Sequence, residues 1–92
     1  TAQEALRLGL VNRVVPDGEL LKQTMGLAKK IASKSRVALS LAEEAMREGI
    51  KKDLLAGLAY EAEMFAKAAQ SQDMKEGVRA FLEKRQAKFQ DQ

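Results

Sequence analysis

The chain has no cysteine, no histidine and no tryptophan, and only one proline. Each absence closes a class of function. Without cysteine there is no disulfide framework and no pointer to a redox setting. Without histidine, zinc sites of the usual Cys/His type and Ser-His-Asp or Cys-His catalysis have no residues to build them here. Aromatic side chains are scarce: Tyr60, Phe65, Phe81 and Phe89 are the full set. Any core must come from Leu, Ala, Val, Ile and Met, which suits thin helix-on-helix packing. No apolar run reaches membrane-spanning length and no signal-peptide pattern opens the chain, so no membrane partner is expected. The six glycines are isolated, which leaves no Gly-rich phosphate loop.

What is present points to helices. Ninety-two residues fit one small domain or a piece of a larger one, and a chain this short is marginal alone. It starts at Thr1 rather than Met, which reads as truncation or processing. Alanine, leucine, glutamate and lysine dominate, a balance that argues for an all-α chain. The net charge is +3. The basic residues are dispersed as Lys29-Lys30, Lys34, Arg36, Lys51-Lys52 and Lys84-Arg85-Lys88, and read as solvated helix faces and ends. No basic stripe carries interleaved stacking aromatics, so no nucleic-acid partner is expected.

The punctuation divides the chain into about five short helices and one extended segment. Thr1 caps the first, with Glu4 completing a capping box and Gly9 as its stop. Leu10 to Val15 is β-branched and too short for a helix, so it reads as an extended connector. Pro16-Asp17-Gly18 is a turn. A second helix runs from about Glu19 to Ala32, with Leu20, Leu27 and Ile31 on one face. Ser35 caps a third, striped by Val37, Ala38, Leu41, Ala42, Ala45 and Met46 and ended by Gly49. Asp53 opens a fourth that reaches about Gln70. Ser71 caps the fifth, with Asp73 and Glu76 in its first turns to suit the dipole and Val78, Phe81 and Leu82 as its buried face. The tail from Gln86 to Gln92 is expected to fray unless a partner holds it.

No catalytic constellation emerges. Glu44 and Glu48 share a helix face while Glu43 points elsewhere, and Glu61 and Glu63 diverge. These read as solvent-facing charges. No catalytic residue and no metal ligand is assigned.

Several blocks in order carry a resemblance. They are Thr1-Ala-Gln-Glu-Ala-Leu-Arg-Leu-Gly-Leu-Val-Asn-Arg-Val-Val-Pro16, Ile31-Ala-Ser-Lys-Ser35, Leu41-Ala-Glu-Glu-Ala45 and Gly57-Leu-Ala-Tyr-Glu61. Asp73-Met-Lys-Glu-Gly77 and Ala80-Phe-Leu-Glu-Lys-Arg85 complete the set. Together they resemble the C-terminal region of the enoyl-CoA hydratase/isomerase (crotonase) family across essentially the whole chain. Arg36 departs from the pattern, since the family often has proline there.

The resemblance implies the C-terminal helical region of a crotonase-like fold, without its β-β-α spiral core. Residues 1–16 would link to the absent catalytic core, and 17–92 would form a helical region that supports oligomerisation and closes the coenzyme A site. The family's oxyanion hole and paired catalytic glutamates, which add water to a 2-enoyl-CoA, belong to that core. None maps onto this sequence, so the chain alone is expected to be catalytically silent. Two positions carry over as CoA contacts: Phe65, an aromatic that approaches the ligand, and Lys84, near the adenine and its phosphate. The residues themselves leave Phe65 equally readable as core and Lys84 as a helix-end charge.

The further implications are an acyl-CoA substrate, no prosthetic group, a trimer or hexamer in the parent family, and a bacterial cytoplasmic or mitochondrial-matrix setting. The alternative from another class is an autonomous helical protein-interaction module without catalysis.

Overall fold

The computed structural model describes all residues from Thr1 to Gln92 and contains five helices and no strand. The all-α expectation holds. The chain divides into two compact units, Thr1–Ile31 and Ala32–Gln92.

In the first unit, α1 (Ala2–Arg7) starts from the expected capping box. The Thr1 side chain accepts from the Glu4 N–H, and the Glu4 carboxylate takes the chain's amino group at 2.8 Å. Gly9, at φ +76°, ends it in a Schellman arrangement: the Gly9 and Leu10 N–H groups return to the Leu6 and Ala5 carbonyls. Leu10 to Val15 forms no sheet pairing, because the chain offers no second strand to receive it. The Pro16–Glu19 turn, with Gly18 at φ +85°, feeds α2 (Leu20–Ala32). No residue of α2 is buried, and Leu20, Leu21, Met25, Leu27 and Ile31 all stand open along it.

In the second unit, α3 (Arg36–Gly49), α4 (Leu54–Ala69) and α5 (Gln72–Leu82) start at Ser35, Asp53 and Ser71. Each cap's side-chain oxygen accepts the N–H three residues on. α3 and α4 form an antiparallel hairpin. Gly49 meets Gly57 near the turn, while Glu44 meets Tyr60 farther along. A Cβ on Gly57 would lie 3.3 Å from the Gly49 carbonyl oxygen, so the helices approach at backbone distance there.

Two expectations about α5 are corrected. Val78, Phe81 and Leu82 are not its buried face: they are 46%, 80% and 73% exposed, and the residues α5 buries are Asp73 and Ala80. The tail does not fray either. It turns back along α5, and α5 itself supplies the hydrogen-bonding groups and a seat for Phe89 against Gly77. Met64 and Ala80 are the only buried apolar residues in the chain.

Candidate functional site

The α3–α4 hairpin leaves an open apolar groove of about 780 Å³, lined by residues that include Leu41, Ala45, Met46, Leu58, Met64 and Phe65. The small residues Ala38, Ala42 and Ala45 of α3 line it, together with Gly49 and Gly57. Phe65 is 68% exposed on this groove and is not core in this chain. Its ring presents a flat apolar surface.

Lys84 stands elsewhere, just past the end of α5, and does not line the groove. Its backbone is left-handed at φ +53°. The Lys84 N–H returns to the Phe81 carbonyl and the Arg85 N–H to the Ala80 carbonyl, a Schellman closure with lysine where glycine is usual. The Lys84 ammonium makes no ion pair, and its side chain is exposed.

Arg85 behaves oppositely. Its Nη1 and Nη2 donate to the two carboxylate oxygens of Glu76 at 2.6 and 3.1 Å, and its Nε donates to Glu83 at 2.5 Å. Glu76 also accepts the Lys88 N–H at 2.9 Å. The Arg85 bonds, then the Lys88 bond, hold the Glu76 carboxyl down at about 2, against the opposing effect of burial. The same pairing with Glu76, then Glu83, pushes Arg85 up.

A second carboxylate anchors the tail farther on. Asp73 is 2% exposed, and its oxygens accept from the Ser35 hydroxyl at 2.5 Å, the Gln90 N–H at 2.8 Å and the Asp91 N–H at 3.1 Å. Burial works against its charge, yet the Ser35 hydroxyl and the tail N–H groups outweigh it, so the Asp73 carboxyl lies below its usual range. Asp91 in turn accepts the Arg36 N–H at 2.9 Å. The starts of α3 and α5 and the end of the tail therefore meet at one polar node.

Two further carboxylates pair with neighbouring side chains. Glu44 accepts the Tyr60 hydroxyl at 2.6 Å, and Glu48 pairs with Lys51 at 3.0 Å and Arg47 at 3.5 Å. The Glu44 bond, helped by burial, pushes the Tyr60 phenol up to about 12, while the Lys52 ammonium sits 5.1 Å from the ring centroid. No three acidic side chains come together as a metal-ligand set. What the arrangement offers is an apolar groove with an aromatic on its wall, and a separate unpaired cation at the end of α5.

Sequence reasoning singled out Phe65 and Lys84 and missed the Glu76–Arg85 fork, the Asp73 node and the Tyr60–Glu44 bond. Asp73 and Glu76 read as acids in the first turns of α5, placed to suit its dipole. Partners nine and seventeen residues away leave no local signature.

Comparison with known proteins gives one answer. The family model described as enoyl-CoA hydratase/isomerase matches residues 1–92. The crotonyl-CoA hydratase of Syntrophomonas wolfei is 44% identical over 88 residues, which cover 96% of this chain and 34% of that protein. The mitochondrial enoyl-CoA hydratase of Pongo abelii is 36% identical over 92 residues, 100% of this chain and 32% of its own length. Among solved structures, the enoyl-CoA hydratase of Bacillus anthracis superposes with a TM-score of 0.93 at 40% identity, covering 99% of this chain and 35% of that one. The chain thus spans about a third of the length of the relatives it matches. Those relatives include bacterial and mitochondrial proteins, and no helix here is long and apolar enough to cross a membrane.

Proposed function

The chain belongs to the enoyl-CoA hydratase/isomerase family, and on that premise we propose that it is the C-terminal helical region of an enzyme that adds water to 2-enoyl-CoA thioesters. The observation that carries this reading is the match over all 92 residues to proteins about three times as long. In this reading residues 1–16 link to the catalytic core, and 17–92 support trimer assembly and close the CoA site. The oxyanion donors and the two glutamates act from the core, in a bacterial cytoplasmic or mitochondrial-matrix enzyme that needs no prosthetic group.

The chain's own part is binding and assembly. Phe65 offers an open aromatic face to the ligand, and Lys84 offers an unpaired ammonium to a CoA phosphate. An apolar groove open to solvent is a surface in need of a neighbour, which fits an assembling region. The rival reading, a free-standing interaction module, calls for a self-sufficient core. Only Met64 and Ala80 are buried among apolar residues.

The test is Lys84→Ala in the full-length protein, with CoA affinity measured by calorimetry. An exposed charge contact predicts a loss of about two- to fivefold with no fall in melting temperature. Unchanged affinity removes Lys84 from the site. Hydration of crotonyl-CoA by this chain alone would overturn the assignment of the chemistry to the core.

A further inference from the structure

The family reading gives Lys84 a ligand but does not say why lysine occupies a backbone position that glycine fills with least strain. Left-handed φ crowds a Cβ against the following carbonyl oxygen, so side chains are rare there. An outlier of this kind is a reason to ask what the side chain does and what holds it. The surroundings answer the second question. Immediately after Lys84, Arg85 is gripped at two points by Glu76, on the second turn of α5. Glu76 also takes the Lys88 N–H, so the residues on the far side of the turn are tied to the same carboxylate. The fork acts beside the backbone bonds from Lys84 and Arg85 to Phe81 and Ala80, which close the same turn.

The fork also sorts the local charges. Lys84 lies between an acid, Glu83, and a second cation, Arg85. An arginine fork is the better shape for a phosphate, and a free glutamate is the natural partner for a neighbouring lysine. Here both are engaged: Arg85 directs its donors to Glu76 and Glu83, and Glu83 accepts Arg85 rather than Lys84. Lys84 is left as the unpaired cation of the group. The side chains of Glu76 and Arg85 are 21% and 36% exposed, so this pairing is sheltered compared with ordinary surface pairs.

We propose that Glu76 is a positioning residue for Lys84: by holding Arg85 at two points it fixes the left-handed turn and presents the Lys84 ammonium, unpaired, to a phosphate of the CoA thioester. The inference rests on the reading of Lys84 as a CoA contact. Glu76 itself touches no ligand. Its removal releases Nη1 and Nη2 of Arg85 beside Lys84.

A double-mutant cycle on the full-length protein separates the two ideas, with CoA as the titrant and a thermal melt on every variant. Glu76→Gln keeps the side-chain shape but loses the charge and one acceptor. It is expected to weaken CoA binding by about threefold, within the range of a partly sheltered ion pair. In a Lys84→Ala background the same change is expected to do nothing further. A merely structural Glu76 would cost the same in both backgrounds, and that result overturns the proposal. So does full affinity in Glu76→Gln when Lys84→Ala weakens binding. If Lys84→Ala leaves affinity intact, the CoA reading of Lys84 falls first. Arg85→Lys, which keeps the charge but not the two-point grip, must show the same dependence on Lys84. It decides the matter should Glu76→Gln fail to fold.

Discussion

At the residue scale, hydrogen bonds too distant in sequence to be seen there give ordinary residues unusual behaviour. Arg36 occupies a position where the resembling family often carries proline. Both residues suit the first position of a helix, but only a non-proline has an N–H, and Arg36 gives it to Asp91. The departure from the family pattern is therefore used by the tail. Tyr60 is the chain's single tyrosine, so its titration can be followed without interference. The hydroxyl donates to Glu44, and losing its proton would set two anions 2.6 Å apart. The phenol is accordingly pushed from 10 up to about 12. The stability it contributes is complete below pH 10 and is lost as pH rises from 10 towards 12. Phenolate absorbance should therefore lag behind that of a free tyrosine, and Glu44→Gln should bring it back towards 10. A midpoint at the ordinary value in the folded chain would mean that the Tyr60–Glu44 bond does not form in solution.

At the element scale, what was legible in the sequence was local. Ser35, Asp53 and Ser71 were readable as caps because a cap bonds to the N–H three residues away, inside the same window of sequence. Phe65 and Lys84 were readable only through resemblance. The docked tail was not readable, because Asp73 binds residues 17 and 18 positions away and Ser35 from 38. The exposed face of α5 was misread for a related reason: Val78 and Leu82 follow a buried pattern, but the chain contains no surface that covers them. The α3–α4 hairpin gives an element-level test using two helical glycines. Alanine is the better helix former, so Gly→Ala in an open helix should stabilise it by about 0.5–1 kcal/mol. Gly26 in α2 has nothing within 4 Å of where a Cβ would stand and should follow that rule. Gly57 should reverse it. Its new Cβ would press at 3.3 Å on the backbone oxygen of Gly49, which cannot rotate away. Forcing the hairpin apart should cost about 1 kcal/mol or more, more than the propensity gain. Helix content by circular dichroism should rise in Gly26→Ala, and the thermal melt of Gly57→Ala should fall below that of the parent chain. A Gly57→Ala melt at or above the parent's would mean that the hairpin is not closely packed at its turn.

At the scale of the whole molecule, the distribution of burial sets where the chain is firm. All four buried residues, Ser35, Met64, Asp73 and Ala80, belong to the second unit, Ala32–Gln92. The first unit, Thr1–Ile31, has none, and its longer helix exposes Leu20, Leu21, Leu27 and Ile31. Isolated helices of that length are marginal in water, because most helical stability in proteins comes from packing one face. The α1 capping box and glycine stop fix where that helix begins and ends, but they add no buried area. The second unit combines the hairpin with long-range bonds from the tail to Asp73 and Glu76, which close it without a large apolar core. Local opening should follow the same order. Amide hydrogen exchange on this chain should therefore show α2 exchanging close to the rate of an unstructured peptide. The amides of Ala38, Met74 and Asp91, which donate into the Ser35–Ser71–Asp73 group of acceptors, should be protected. So should the Asp73 amide, which donates to the Gln92 carbonyl. Removing residues 86–92 should abolish the protection at Asp73 while leaving the middle of α4 unchanged. Equal protection in α2 and α4 of the monomer would contradict this account, because it would require packing of α2 that its open apolar side chains do not have.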